Sequence, residues 1–219
     1  MPGICKHRLP FVVHNVRMVD QGRIREGALL VEKNGRIEQI SDGHLSLDPR
    51  KRYFLIDGNG QYLLPGVIDT HVHFRDPGFT HKGDIETESR AAVAGGVTSF
   101  CDMPNTKPLT ITREVLRDKY NAAARRAYAN YAFYLGASQD NLDEIRNCDP
   151  TTTPAIKLFM GASTGNMHLT DPQCLEALFR ESPLLIAAHC ETDAKIEQNL
   201  TAAKRQFPNG IPFTEHAHI

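Results

Sequence analysis

Two rhythms of apolar and polar positions divide the chain. Up to about residue 64, runs at 11–19, 28–32, 36–40 and 53–56 follow the alternating pattern of strands with one buried face. Lys33, Asn34 and Gly35 separate the second run from the third. Asn34-Gly35 tolerates the positive φ of a tight turn, so these two runs are predicted to form a hairpin. Nothing in this stretch has a helical period. From residue 63 onward, short apolar runs at 67–73, 97–103, 131–136, 155–160 and 184–189 alternate with amphipathic stretches near 84–94, 113–129, 142–146, 172–181 and 193–207. Thr112 suits a helix N-cap, Glu114 a negative first turn, and Gly95-Gly96 a helix stop. Such strand–helix alternation predicts parallel strands joined by crossover helices. The pattern divides the chain into a β part, 1–64, and an α/β part, 65–219.

Composition narrows the class. Hydrophobic residues are 41% and charged residues 23% of the 219, ordinary for a globular protein and far from a disordered one. A formal net charge of −1 argues against nucleic acid as a partner. No apolar run is long enough to span a bilayer, and the first ten residues lack the apolar core of a signal peptide. The five cysteines are odd in number, widely spaced and without a C-x-x-C, which favours a reducing cytoplasm over a disulfide framework. A closed eight-stranded (β/α) barrel takes about 250 residues. Only about 155 follow Leu64, carrying five strand–helix units. The expectation is a barrel cut short, with an open five-stranded sheet as the alternative.

Ten histidines are the unusual count, and their placement carries the chemistry. Asp69, His71 and His73 share one face of the strand at 67–73, with neighbours about 7 Å apart. Near the strand's C-terminal end, where barrel sites form, His71 and His73 are placed to grip one divalent ion through neutral imidazole nitrogens. The bland alternative is two satisfied histidines on a half-buried strand. His189 closes the last apolar run, where a parallel strand delivers its final side chain to the ligand crevice; alone it would read as a core histidine. Cys190 is expected on the opposite face, in packing. Lys157 sits within 155–160, where an ammonium beside a metal would be desolvated and repelled. Either it faces solvent between helices or binds phosphate, or its amine reacts with CO2 to give an anionic carbamate able to bridge two cations. The glycine-containing stretch 161–165 offers a backbone anion nest. Arg75, at the next same-face position after the histidines, has the geometry to hold a carboxylate bidentately, with a surface ion pair to Asp76 or Asp84 as the alternative. Asn105, on the loop after Pro104, offers a donor and an acceptor at the same end, and alone would be an ordinary turn residue. His7, His14, His44, His81 and His168 read as surface or structural.

Together the segments Pro65-Gly-Val-Ile-Asp-Thr-His-Val-His-Phe-Arg-Asp-Pro-Gly78, Cys101-Asp-Met-Pro-Asn-Thr106, Lys157-Leu-Phe-Met-Gly161 and His189-Cys-Glu191 resemble the amidohydrolase superfamily. Within it they are most similar to the dihydroorotase family, in family order from about Phe11 to the last residue. The resemblance implies an α/β fold, a (β/α)8 TIM barrel of the metal-dependent hydrolase type, with a small β-sandwich built partly from residues 1–64. It implies two Zn2+ ions, His71 and His73 on one, His189 on the other, and carbamylated Lys157 bridging both. Arg75 and Asn105 would bind the substrate carboxylate. A further histidine ligand, the catalytic aspartate and the last sandwich strands are expected beyond Ile219, so no catalytic residue is expected within this stretch and it should be inactive alone. The implied reaction is the reversible interconversion of dihydroorotate and N-carbamoyl-aspartate in pyrimidine synthesis. The alternatives are another cyclic amidohydrolase (an allantoinase or a dihydropyrimidinase/hydantoinase), a metal-free scaffold of the same fold, and an open α/β binding domain. The partners expected are a small-molecule substrate and a second copy in a homodimer, without nucleic acid or membrane.

Overall fold

A computed structural model of the chain describes residues 9–161 and 167–219. His7 and all but Gly161 of the predicted anion nest lie outside the described residues. The chain divides into two compact units, Met1–Val67 and Ile68–Ile219.

The first unit is one mixed sheet of β1 (Phe11–Asp20), β2 (Arg23–Val31), β3 (Ile37–Asp42), β4 (Phe54–Asp57) and β5 (Tyr62–Leu63), in the order β3-β2-β1-β4, with β5 also on β1. The hairpin at Asn34-Gly35 joins β2 to β3, with Gly35 at φ 79° and its N–H donating to the carbonyl of Glu32. Another hairpin joins β1 to β2, and sequence reasoning did not find it. There Asp20 pairs with Arg23 across Gln21 (φ 49°) and Gly22 (φ 72°). Its second strand opens on charged Arg23, Arg25 and Glu26, which hide the alternation. A bulge at 13–16 puts Asn15 at φ 54°, where its side chain donates to Asp57 Oδ1. Before the bulge β1 pairs in parallel with β4, and after it with β5. Val12, Val16, Met18, Ala28, Leu30 and Val31 are buried. The second layer of the expected sandwich is not among the described strands of this unit.

The second unit alternates strands and helices: β6 (Val67–Val72), α1 (Ile85–Ala94), β7 (Val97–Asp102), α2 (Arg113–Ala123), β8 (Asn130–Phe133), β9 (Leu135–Gly136), α3 (Leu142–Arg146), β10 (Ile156–Phe159), α4 (Pro172–Glu181), β11 (Ile186–His189) and α5 (Asp193–Gln206). The predicted strand at 131–136 is interrupted at Tyr134, so pairing runs β6-β7-β8 and then β9-β10-β11. Spatial neighbours therefore follow chain order, without the reversal that defines a doubly wound sheet. The pairs β7–β8, β9–β10 and β10–β11 are parallel.

Side-chain caps fix three helix starts: Asp84 accepts from Thr87 N–H, Thr112 from Val115 N–H and Asp171 from Cys174 N–H. α2 ends at Ala123, short of the predicted 129. The Ala- and Arg-rich residues that follow have helical propensity, but the chain must reverse to bring Asn130 beside Ser99. Arg126, paired with the Asp76 carboxylate, and Tyr128 N–H, donating to Ser89 Oγ, hold that reversal.

Helices α1 to α4 each lower a side chain (Ile85, Leu116, Ile145, Leu178) onto one face of the strands, where Phe74, Phe100, Phe133, Ile156 and Leu158 meet them. The alternate positions Cys101, Met103, Ala155 and Ala187, with Tyr134, make a smaller cluster on the other face. No helix among the described residues is long and apolar enough to cross a membrane.

Candidate metal and substrate site

The site residues lie on the face turned away from the helices. In β6 and just past it, Val72 and Phe74 pack into the main core, so Asp69, His71 and His73 stand opposite. The His71 and His73 rings are 5.3 Å apart between centroids, and Asp69 Oδ1 accepts the His71 N–H at 3.0 Å. His73 Nδ1 is 2.8 Å from Asn105 Oδ1. An amide oxygen only accepts, so the proton sits on Nδ1 and the Nε2 lone pair stays open to a ligand. Partial desolvation holds His73 below the usual imidazole pKa, assisted by the charge of Arg75 and opposed by Asn105. That favours the neutral form a metal requires.

Lys157 and His189 belong to the same face. In the β10–β11 ladder Lys157 pairs with Ala187 and Phe159 with His189. The solvent-facing reading of Lys157 fails, because the residue is 3% exposed. Among the described residues its side chain makes no hydrogen bond or ion pair; its Nζ lies 4.8 Å from the Phe159 ring centroid. Burial pushes its pKa down, toward the free amine. The His189 ring is 6.0 Å from that of Phe159, and its Nε2 is 3.1 Å from Glu191 Oε2. Cys190 is exposed and not packed, since the strand ends one residue before it.

Arg75 departs from the predicted alternation. β6 ends at Val72, and Arg75 takes φ 66° in a turn where its carbonyl accepts from Phe79 N–H. Neither expected ion pair forms. Asp76 binds Arg126 and accepts from Ile85 N–H, while Asp84 caps α1. The guanidinium is thus left without a carboxylate partner among the described residues. Asn105 is buried, 6% exposed, and its amide nitrogen makes no hydrogen bond among the described residues. Lys107 N–H donates to the Pro77 carbonyl, and a Cβ on Gly78 (φ 94°) would lie 2.3 Å from the Lys107 carbonyl oxygen. The loops that carry Arg75 and Asn105 are thereby stapled together.

Behind this face lies a feature the sequence did not announce. Asp102 and Lys119 are both buried, with Oδ2 and Nζ 2.7 Å apart. Its one sequence signal is that Lys119 falls on the apolar stripe of α2, among Leu116 and Ala123. Tyr134 was also missed; its hydroxyl donates to the Thr70 carbonyl from the strand break.

The donor set fits a metal in kind. Two imidazoles, one with an open Nε2, share a face with a buried amine that has no counter-charge. No three His, Cys, Asp or Glu converge on a single point among the described residues. The structure brings His71 to His73 and His73 to Asn105, and sets Lys157 and His189 around Phe159 as a separate group.

The second unit is a singly wound α/β array with histidines at its strand ends, and comparison with known proteins gives its family. Residues 62–218 match the model of the amidohydrolase family, and the chain belongs to that family. It is 38% identical over 149 residues to a dihydroorotase of Pyrococcus abyssi, spanning 67% of this chain and 33% of that protein. To a dihydroorotase of Bacillus thuringiensis it is 32% identical over 209 residues, 92% of this chain and 47% of that one. Among solved structures, an L-hydantoinase (dihydropyrimidinase) from Arthrobacter aurescens superposes with a TM-score of 0.81 at 29% identity, over 92% of this chain and 45% of its own. The chain spans from a third to about half the length of the curated relatives it matches.

Proposed function

We propose that this chain is the N-terminal part of a zinc-dependent dihydroorotase, which interconverts dihydroorotate and N-carbamoyl-aspartate. In this reading residues 1–64 are a portion of a β-sandwich, and 65–219 are the first five strand–helix units of an eight-unit barrel. The observation that carries it is the shared face: His71, His73, Lys157 and His189 all stand opposite the helices, and Arg75, on the turn after β6, has no carboxylate partner among the described residues. Likeness to two dihydroorotases supports the substrate class.

His71 and His73 would hold one zinc ion and His189 the other, with carbamylated Lys157 between them. Zinc bound there supplies Lewis acidity and a water of lowered pKa. The protein's own groups do the rest. Arg75 takes the substrate carboxylate bidentately, and the Asn105 amide adds a donor, so that the ring carbonyl is presented in reactive geometry. Lys157, buried and below its ordinary pKa, is the amine that CO2 converts to an anion. Proton transfer falls to an aspartate outside these residues. Free cysteines at 101, 148, 174 and 190 accord with a cytoplasmic setting, and a homodimer is the assembly proposed.

The likeness to a hydantoinase favours one rival, a cyclic amidohydrolase whose substrate lacks the carboxylate. The test is made on the full-length protein. We expect about two zinc ions per chain, turnover of dihydroorotate, and a loss of at least tenfold in kcat/KM for Arg75→Ala. Less than one zinc per chain, or hydantoin hydrolysis unaffected by Arg75→Ala, overturns the proposal.

A further inference from the structure

The Asp102–Lys119 pair makes no hydrogen bond or ion pair to any of the four proposed metal-ligand side chains, yet it grips the backbone on both sides of the His73–Asn105 bond. Asp102 closes β7 with its side chain on the helix side. Its Oδ1 accepts the N–H of Phe74, the residue after His73, at 2.8 Å. Lys119 Nζ, anchored on α2, donates at 3.1 Å to the carbonyl of Met103, two residues before Asn105. From the same strand end, Met103 N–H donates to the Val72 carbonyl at 2.9 Å. β6 and β7 are thus tied immediately before and after the residues that meet at 2.8 Å on the opposite face.

We infer that Asp102 and Lys119 are positioning residues, which set the metal ligand His73 and the substrate-binding Asn105 against each other through the backbone of the two strand ends. The inference rests on the site reading above. Packing alone does not account for the pair, because an apolar pair of similar volume would stabilise a core as well or better. What the charges add is directional. The Phe74 N–H lies beyond the end of β6 and needs an acceptor, and the Lys119 ammonium, 4.8 Å from the Phe133 ring centroid, is aimed at a single carbonyl. A metal ligand held by supporting contacts binds more tightly than one left to wander, so displacing this support should show first in metal affinity.

The test uses full-length protein, with zinc affinity from chelator competition and steady-state kinetics on dihydroorotate. Asp102→Leu with Lys119→Met removes both charges and both backbone ties without leaving a lone buried ion. We expect a folded protein whose zinc affinity falls at least tenfold and whose KM rises. Zinc affinity and KM within twofold of wild type would reduce the pair to a core element and overturn the inference. Should that variant fail to fold, Asp102→Asn with Lys119→Met decides, because the introduced amide oxygen can still accept from Phe74 while the Met103 tie is lost. Here zinc affinity should stay within twofold while KM rises at least threefold, a split that general loosening does not produce; an unchanged KM overturns the inference. Wild-type protein that binds no zinc would instead sink the reading of the site, and so the two failures are told apart.

Discussion

At the scale of single residues, burial decides which ionisable groups are set apart. Tyr120 donates its hydroxyl proton to the Thr152 carbonyl and accepts from Phe133 N–H, and burial raises its pKa from 10.0 to about 12. The folded state therefore keeps the phenol proton where the unfolded chain releases it. Stability from this source is complete below pH 10 and is lost as pH climbs toward 12, up to about 2 kcal/mol after solvent screening. Thermal melts should show Tm falling above pH 10, and Tyr120→Phe should flatten that limb while costing about 1 kcal/mol at neutral pH. An equally steep alkaline limb in Tyr120→Phe would refute the assignment. The paired histidines were legible because period two on a strand admits one arrangement, and the structure keeps it through His73. Lys157 was not. A lysine in a strand is solvated or buried according to which face the helices cover, and only packing reveals that. Of Asp102–Lys119 only the place of Lys119 on the apolar stripe of α2 was a sign, and its partner could not be read, since the two meet only through the tertiary fold.

Among elements, the alternation of strand and helix was legible nearly throughout, because the first four amphipathic stretches each had an apolar side and three of them open on a capping residue, Asp84, Thr112 or Asp171. Misreadings fell where the chain turns. The β1–β2 hairpin was hidden by charges on an exposed strand half, and α2 was read too long because tertiary contacts at Arg126 and Tyr128 override local propensity. Turns also carry Arg75 and Asn105, the residues proposed to bind substrate, and so a turn mutation should reach the site. Gly78→Ala sets a Cβ against the Lys107 backbone at φ 94°, where neighbouring backbone cannot yield cheaply. A stability loss of about 2 kcal/mol is expected in chemical denaturation, together with a raised KM for a carboxylate substrate as the Arg75 and Asn105 loops part. A KM unchanged despite the lost stability would show that the two loops are not mechanically joined.

At the scale of the molecule, the first unit leaves much apolar surface uncovered. Phe54, Leu55 and Ile56 of β4 are exposed, as are Ile24, Ile37, Ile40 and Tyr62. An open edge strand and a patch of this kind invite association. The 219-residue polypeptide produced alone should bind a hydrophobic dye strongly and sediment as species larger than a dimer, while the full-length protein should do neither; a dye-silent monomer would contradict this. Its family was readable from four short segments because each sits at a strand end or on the loop just after one, where chemistry constrains the residue type more than packing does. The uncovered sheet was not readable, since alternation reports that a face is apolar and not what lies against it. The scattering of the proposed ligands over β6, β10 and β11 also has a consequence for biosynthesis. In the proposed reading His71 leaves the ribosome long before His189, and no short stretch of nascent chain holds more than two of the proposed donors, so capture of both zinc ions would wait until translation has passed the last of these strands and the sheet has closed ranks.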